Sequence, residues 1–440
     1  MKSSRRTQRS KTAKTTSARF EHQAKKRSCS LCAAFGSCGG CTCLDTPYKE
    51  QLDLKKRFIE QLFSDIAQPS YISDVRGMTE PFAYRNKITS PFAPQRRKSG
   101  GKKSVSVVSG MYQDGTHRII PVSTCPIENP LGQKIVHAIV RIMERHGIAP
   151  YDEDSGEGFL RHAIIRIGHE SGEVLVTLVT NTREFPHARS FCKALRSQVP
   201  EITTVVQNVN SRQTNVILGE EEHTLYGPGF ILDTLCGLSF RISSRSFFQV
   251  NAEMTSELYR KAIALAEVDN ATIIDAYCGT GTLGLVCAKT GARRIIGVDT
   301  IHDAIRDARL NASHNGIENG EFIAEDATSF MKKAVASKLI HDDNLVIIMD
   351  PPRAGSTAEF IEAACSAKPQ RVVYISCNPI TQRRDAELFI KEGYCVDAVV
   401  PVDMFPHTCH VENIIRLVRM NDPSKGSDPH EEIHSKGRDR

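Results

Sequence analysis

Four short runs recur between residues 271 and 377: A-T-I-I-D, R-R-I-I-G-V-D, N-L-V-I-I-M-D and R-V-V-Y-I-S-C. Each has an apolar core and ends on a polar residue, and helical stretches separate them. A strand that is apolar on both sides must be covered on both sides. Runs of this kind, spaced by helices, therefore specify a mostly parallel sheet with helices on both faces. In such α/β sheets ligands bind outside the carboxyl ends of the strands. The pattern predicts a Rossmann-like unit over residues 247–420, with Asp275, Asp299, Asp350 and Cys377 along one edge.

The stretch before it reads differently. Residues 159–250 carry short β-rich runs (A-I-I-R-I-G, E-V-L-V-T-L-V-T, T-T-V-V-Q-N-V-N, S-F-R-I-S), which predict an antiparallel or mixed sheet. Leu52, Phe58, Ile59 and Leu62 recur at helical spacing and predict a helix near 46–67, a candidate to pack on the Rossmann-like unit. The segment F-A-Y-R-N-K-I-T-S-P-F and the strand V-S-V-V-S-G-M-Y predict a hairpin. Its loop holds Arg96, Arg97, Lys98, Lys102 and Lys103 and no acid, a phosphate-contact candidate or a plain solvated loop. The expected organisation is a disordered basic tail (1–28), a β-rich RNA-binding unit (29–246), the Rossmann-like unit (247–420) and a disordered polar tail (421–440).

Composition matters chiefly through charge and cysteine. The formal charge is +6, yet residues 1–28 hold ten Lys/Arg and one acid, so the excess is local. Such a tail suits a nucleic-acid arm or a solubilising extension. With 40% hydrophobic and 25% charged residues, the chain is not collagen-like, wholly disordered or membrane-spanning. The basic, apolar-poor start is not a secretory signal. Fourteen cysteines without such a signal predict a cytoplasmic protein with free thiols. Five of them crowd into residues 29–43, C-S-L-C-A-A-F-G-S-C-G-G-C-T-C. That density points to a metal or cluster site, and the two C-x2-C pairs alone also fit zinc. Nothing in the sequence calls for an obligate protein partner.

Two motifs carry the chemistry. In D-A-Y-C-G-T-G-T-L-G-L, Gly279, Gly281 and Gly284 form G-x-G-x-x-G after a strand, and Asp299 ends the next strand. This suits a nucleoside cofactor, either a dinucleotide or S-adenosylmethionine. A nicotinamide dehydrogenase rests on this motif alone. The second motif is Asp350-Pro351-Pro352-Arg353 followed by Ser376-Cys377-Asn378-Pro379. In amine methyltransferases an aromatic follows a similar Asx-Pro-Pro; here Arg353 stands there, which disfavours amine methylation. A thiolate at a strand end suits another reaction. Carbon 5 of a pyrimidine is too weak a nucleophile to accept a methyl group until a thiolate has added at carbon 6. A base must then take the carbon 5 proton, and Glu412 in P-H-T-C-H-V-E-N is the candidate. Each residue alone has a plainer reading, Cys377 as a buried small apolar group and Glu412 as a solvated acid.

Taken together, C-A-A-F-G-S-C-G-G-C, Y-R-N-K, F-F-Q-V-N, D-A-Y-C-G-T-G-T, A-I-R-D-A-R-L-N-A-S-H-N-G-I, D-P-P-R, S-C-N-P and P-V-D-M-F-P-H-T-C-H-V-E-N resemble the S-adenosylmethionine-dependent RNA uracil-5-methyltransferases. The resemblance covers about residues 29–420. It implies a class I methyltransferase domain with an N-terminal, β-rich iron–sulfur domain. It implies Cys377 as nucleophile, Glu412 as proton acceptor, and Gln249, Tyr277, Gly279, Thr282, Asp299, Asp326 and Asp350 at the cofactor. It also implies that Cys32, Cys38, Cys41 and Cys125 hold a [4Fe–4S] cluster of structural role, with Cys29 and Cys43 surplus. The expected substrate is a uridine of 23S ribosomal RNA; a transfer-RNA uridine and an inactive RNA-binding homologue are the alternatives. Many ribosomal-RNA members begin with a small RNA-binding barrel, and the 28 residues before Cys29 are too few for one.

Overall fold

The computed structural model describes residues 29–420, except residues 100, 101, 114, 338 and 341 and the side chains of 96–105. The expectations for both tails and for the charged hairpin tip lie outside the described residues. Among those residues no helix is long and apolar enough to cross a membrane.

Helix α1 (Tyr48–Phe63) follows the Cys-rich segment. A seven-stranded mixed sheet comes next, built from β1 (Lys87–Ser99), β2 (Lys102–Tyr112), β3 (Ile119–Pro121), β4 (Leu160–Ile167), β5 (Val174–Thr180), β6 (Ile202–Val209) and β7 (Glu221–Tyr226), with α2 (Pro130–His146) after β3 and α3 (Ala188–Gln198) after β5. Its order is β3-β2-β1-β4-β5-β6-β7. Strands β4 and β5 are buried along their whole length, and the reason is cover on both faces. Helices α2 and α3 bury one face through Ile135, Ile139, Phe191 and Leu195. A hairpin, β8 (Phe230–Leu235) and β9 (Leu238–Ser243), covers part of the other, where Ile231 and Ile242 meet Leu175 and Val206.

The second half begins at α4 (Ala252–Ala266), whose first turn is capped by Asn251. Then follow β10 (Thr272–Ala276), α5 (Thr282–Thr290), β11 (Arg294–Asp299), α6 (His302–His314), β12 (Gly320–Ala324), α7 (Ala327–Ala336), β13 (Leu345–Met349), α8 (Ala358–Ser366), β14 (Arg371–Ser376), α9 (Pro379–Lys391), β15 (Tyr394–Val402) and β16 (Glu412–Arg419). The order is β12-β11-β10-β13-β14-β16-β15, parallel except that β16 runs against both neighbours. Alternate residues of one strand enter different cores: Ile273, Ile295, Val346 and Ile348 face one side, Ile274, Ile296, Ile347 and Met349 the other. This is why the four runs are apolar without alternation. The sheet reverses its winding between β10 and β13, which places the ligand crevice over their carboxyl ends. Helix α1 packs into the same core, with Ile59 and Phe63 fully buried beside Phe389, Tyr394 and Val399.

One expected edge residue is not at the edge. Asp275 precedes the last residue of β10 and is 3% exposed. Its Oδ2 accepts from the Gly284 amide at 2.9 Å, tying the strand to α5. The pleat turns Asp275 inward, so it is a brace under the glycine turn.

Candidate active site

The edge is completed by an antiparallel strand. β14 ends at Ser376, which pairs with Asn413 of β16. Because β16 runs the other way, its first residue, Glu412, lies beside the residue that follows β14, which is Cys377. Asp350, one residue past β13, adds a second carboxylate. Glu412 is 5% exposed, and its Oε2 has no hydrogen-bond partner. Burial first, and then the charge of Asp350, push the Glu412 carboxyl up to about 8. Burial likewise pushes Asp350 up to about 7. The Cys377 thiol is pushed up to about 11 by burial and by Glu412 and Asp350, while Arg353 pulls it down. A half-buried thiol, an unpartnered acid that holds a proton near neutrality and a neighbouring guanidinium thus meet at one point.

Cys377 lies on the wall of a cavity of about 420 Å³. The same cavity is lined by Arg353, Arg85, Phe405 and His410, and by Cys32, Cys38, Cys41 and Cys125. The four thiols from two distant segments therefore converge on the chamber that holds Cys377. They also influence one another. Burial and the charges of Cys125, Cys38 and Cys32 push the Cys41 thiol far above the ordinary range, and burial and Glu128 push Cys125 up to about 11. Among the described residues, no group of three or more His, Cys, Asp or Glu side chains is arranged to hold a metal ion.

The glycine turn stands at the neighbouring strand ends. Tyr277, Gly279 and Gly281 have φ of 65°, 55° and 74°. A Cβ on Gly279 would meet nothing within 4 Å, whereas one on Gly281 would lie 2.7 Å from Phe322. Gly281 is thus required by packing, while Gly279 faces open space where a ligand can approach. The Gly279 amide donates to Asp299 Oδ2 at 3.0 Å and the Ile301 amide to Oδ1 at 2.9 Å. Tyr277 shares a 2.9 Å hydrogen bond with Ser356 Oγ, and Thr282 a 2.7 Å bond with the Tyr259 hydroxyl. Asp326 is exposed and caps α7 through the Ser329 amide at 2.9 Å. Gln249 stands apart, in a small niche with Lys87, Arg166 and Phe248.

Three features had no clear sequence signal. Phe247, just before that niche, is 68% exposed. The loop leading to Glu412 is stitched to the Cys-rich segment. The carbonyl of His407 accepts from the Thr42 and Cys43 amides, each at 3.0 Å, and the Cys409 amide donates to Thr42 Oγ1 at 2.9 Å. Gln51 Oε1 accepts from the His407 amide at 3.0 Å, while its Nε2 donates to the Cys43 carbonyl at 2.9 Å. Below this, Lys55 and Asp403 form a 2.5 Å ion pair at 3% and 0% exposure. Tyr48 donates to the same carboxylate at 2.9 Å. Lys55→Ala would leave a buried charge unpaired, and a loss of about 3 kcal/mol or more is expected in denaturant unfolding.

The family model described as tRNA (uracil-5-)-methyltransferase matches residues 163–420. A protein named an uncharacterized RNA methyltransferase from Bacillus cereus is 37% identical over 392 residues, 88% of this chain and 83% of that one. A like-named protein from Halalkalibacterium halodurans is 37% identical over 394 residues, 89% of this chain and 83% of its own. The solved structure of Pyrococcus abyssi tRNA (uracil-54, C5)-methyltransferase in complex with S-adenosyl-L-homocysteine superposes with a TM-score of 0.70 at 26% identity, covering 89% of this chain and 87% of that one.

Proposed function

Since the chain belongs to the tRNA (uracil-5-)-methyltransferase family, we propose that this RNA methyltransferase transfers a methyl group from S-adenosylmethionine to carbon 5 of a uridine. The observation that carries this reading is the meeting of Cys377 with the unpartnered Glu412 oxygen at the ends of adjacent strands. The Cys377 thiolate adds to carbon 6, and the electron pair of the carbon 5–carbon 6 bond moves towards carbon 5. Carbon 5 takes the methyl group from the sulfonium, which leaves as a thioether. Glu412 then accepts the carbon 5 proton, the double bond reforms, and the thiolate departs. Among the described residues, Arg353 is the cation that favours the thiolate. The target base must leave its stack to reach the cavity. The open side of Gly279, with Tyr277, Thr282, Asp299, Asp326 and Asp350, is assigned to the cofactor, and so is Gln249 from the niche it shares with Lys87 and Arg166.

The target is assigned to ribosomal RNA on the strength of the cysteine set. Transfer RNA is the second reading, favoured by the likeness to the Pyrococcus abyssi enzyme. Mapping 5-methyluridine in both RNA classes, with and without the gene, decides between them. Loss from neither class overturns the uracil assignment.

Cys32, Cys38, Cys41 and Cys125 are assigned to a [4Fe–4S] cluster. Four thiols in one cavity would suit it, because bound iron would stabilise the thiolate form that burial and the neighbouring thiols disfavour at Cys41. The cluster's part is structural. Anaerobically purified protein is expected to carry about four iron and four sulfide per chain, and Cys41→Ser to lose them. Stoichiometric zinc in place of iron contradicts the assignment.

A further inference from the structure

β1 and β4 are antiparallel, and their register sets Lys87 directly opposite Arg166. Directly opposite residues project from the same face, where like charges repel. Arg166 is 6% exposed. A terminal nitrogen of its guanidinium donates to the Ser246 carbonyl, while its Nε has no partner. Lys87 is half-buried; burial, Arg166 and Arg85 hold its ammonium down at about 8. Both side chains line the niche that also holds Asn86, Phe248 and Gln249. Asp233 is the acid on that wall, and its oxygens accept from the amides of His169, Glu170 and Ser171 at 2.9, 3.0 and 3.2 Å. Among the described residues no carboxylate forms an ion pair with either cation. Folding alone gives no reason for this arrangement, since an apolar side chain at either position would remove both repulsion and desolvation.

The surroundings indicate what neutralises the pair. Ser246, which receives Arg166, precedes the exposed Phe247. Arg85, two residues before Lys87, lines the Cys377 cavity. A row of cations therefore leads from an exposed aromatic ring to the reaction chamber. A nucleic-acid strand entering that chamber brings one phosphate per nucleotide, and a guanidinium fork matches two of its oxygens. We propose that Lys87 and Arg166 form an oxyanion site for a phosphodiester of the RNA strand, beside the nucleotide held in the Cys377 cavity. This rests on the RNA methyltransferase reading. The carboxylate of S-adenosylmethionine is the other oxyanion at hand, so the test separates the two.

The experiment uses the full chain with Lys87→Met and Lys87→Arg. Binding to ribosomal and transfer RNA is measured across a salt series, S-adenosylmethionine binding by calorimetry, and thermal unfolding with and without inorganic phosphate. Lys87→Met is expected to weaken RNA binding about tenfold and reduce the salt slope by about one. It should leave S-adenosylmethionine affinity unchanged and raise the melting temperature of the free protein. Phosphate should stabilise the wild type more than this variant, and Lys87→Arg should behave as wild type. Unchanged RNA affinity and salt slope overturn the site, and so does a loss of S-adenosylmethionine affinity in place of RNA affinity. A wild type that neither binds RNA nor transfers a methyl group removes the functional reading itself, and this site with it.

Discussion

Cys377→Ala is expected to lower methyl transfer to RNA by at least about ten-thousandfold, while S-adenosylmethionine still binds. The argument is electronic. Without addition at carbon 6 there is no electron-rich carbon 5, and the other thiols of the cavity, Cys32, Cys38, Cys41 and Cys125, are taken up by the proposed cluster. Single-turnover transfer of a labelled methyl group to RNA measures the loss. A variant that keeps even a tenth of wild-type transfer means that the covalent route is wrong. Removing this half-buried side chain should barely alter stability, so a folded, cofactor-binding, inert protein is the expected outcome.

Glu412→Gln is expected to fail later. Addition and methyl transfer proceed, but the carbon 5 proton has no acceptor, so the protein remains bonded to methylated RNA through Cys377. A complex that survives denaturing electrophoresis should accumulate, turnover should fall about a hundredfold or more, and adding Cys377→Ala should abolish the complex. Absence of the complex argues against Glu412 as the base. The pH dependence has a definite sign. Glu412 is held up at about 8 and the Cys377 thiol at about 11, so wild-type activity should climb as pH rises through 8. Stability should move the other way. A carboxyl raised in the folded state favours folding while protonated, and that contribution fades as pH rises from the ordinary carboxylate range through about 8. Glu412→Gln should therefore melt higher than wild type at pH 9.

Much of this arrangement is legible in the sequence because local pattern determines it. A continuous apolar run implies a strand covered on both faces, and its last polar residue marks the edge, which located Asp299, Asp350 and Cys377. Asp275 shows the limit. Whether a residue near a strand end points inward depends on the pleat and on where the strand stops, and one residue reverses the answer. Lys87 and Arg166 lie 79 positions apart. Their opposition comes from the register between distant strands, which neither segment encodes alone. The same holds for His407, whose partners Thr42, Cys43 and Gln51 lie at the other end of the chain.

The Lys55–Asp403 pair and the bonds from Gln51 to His407 span 348 and 356 positions. Chains emerge from the ribosome at about 5–20 residues per second, and domains fold as they emerge. Helix α1 leaves early, with Lys55 ready for burial and no acid to meet it until residue 403 has followed. The strand bearing Glu412 comes later still. The reaction chamber is thus among the last parts of the molecule to close, and the newborn protein must wait, with its first helix undocked, for nearly its final stretch of synthesis.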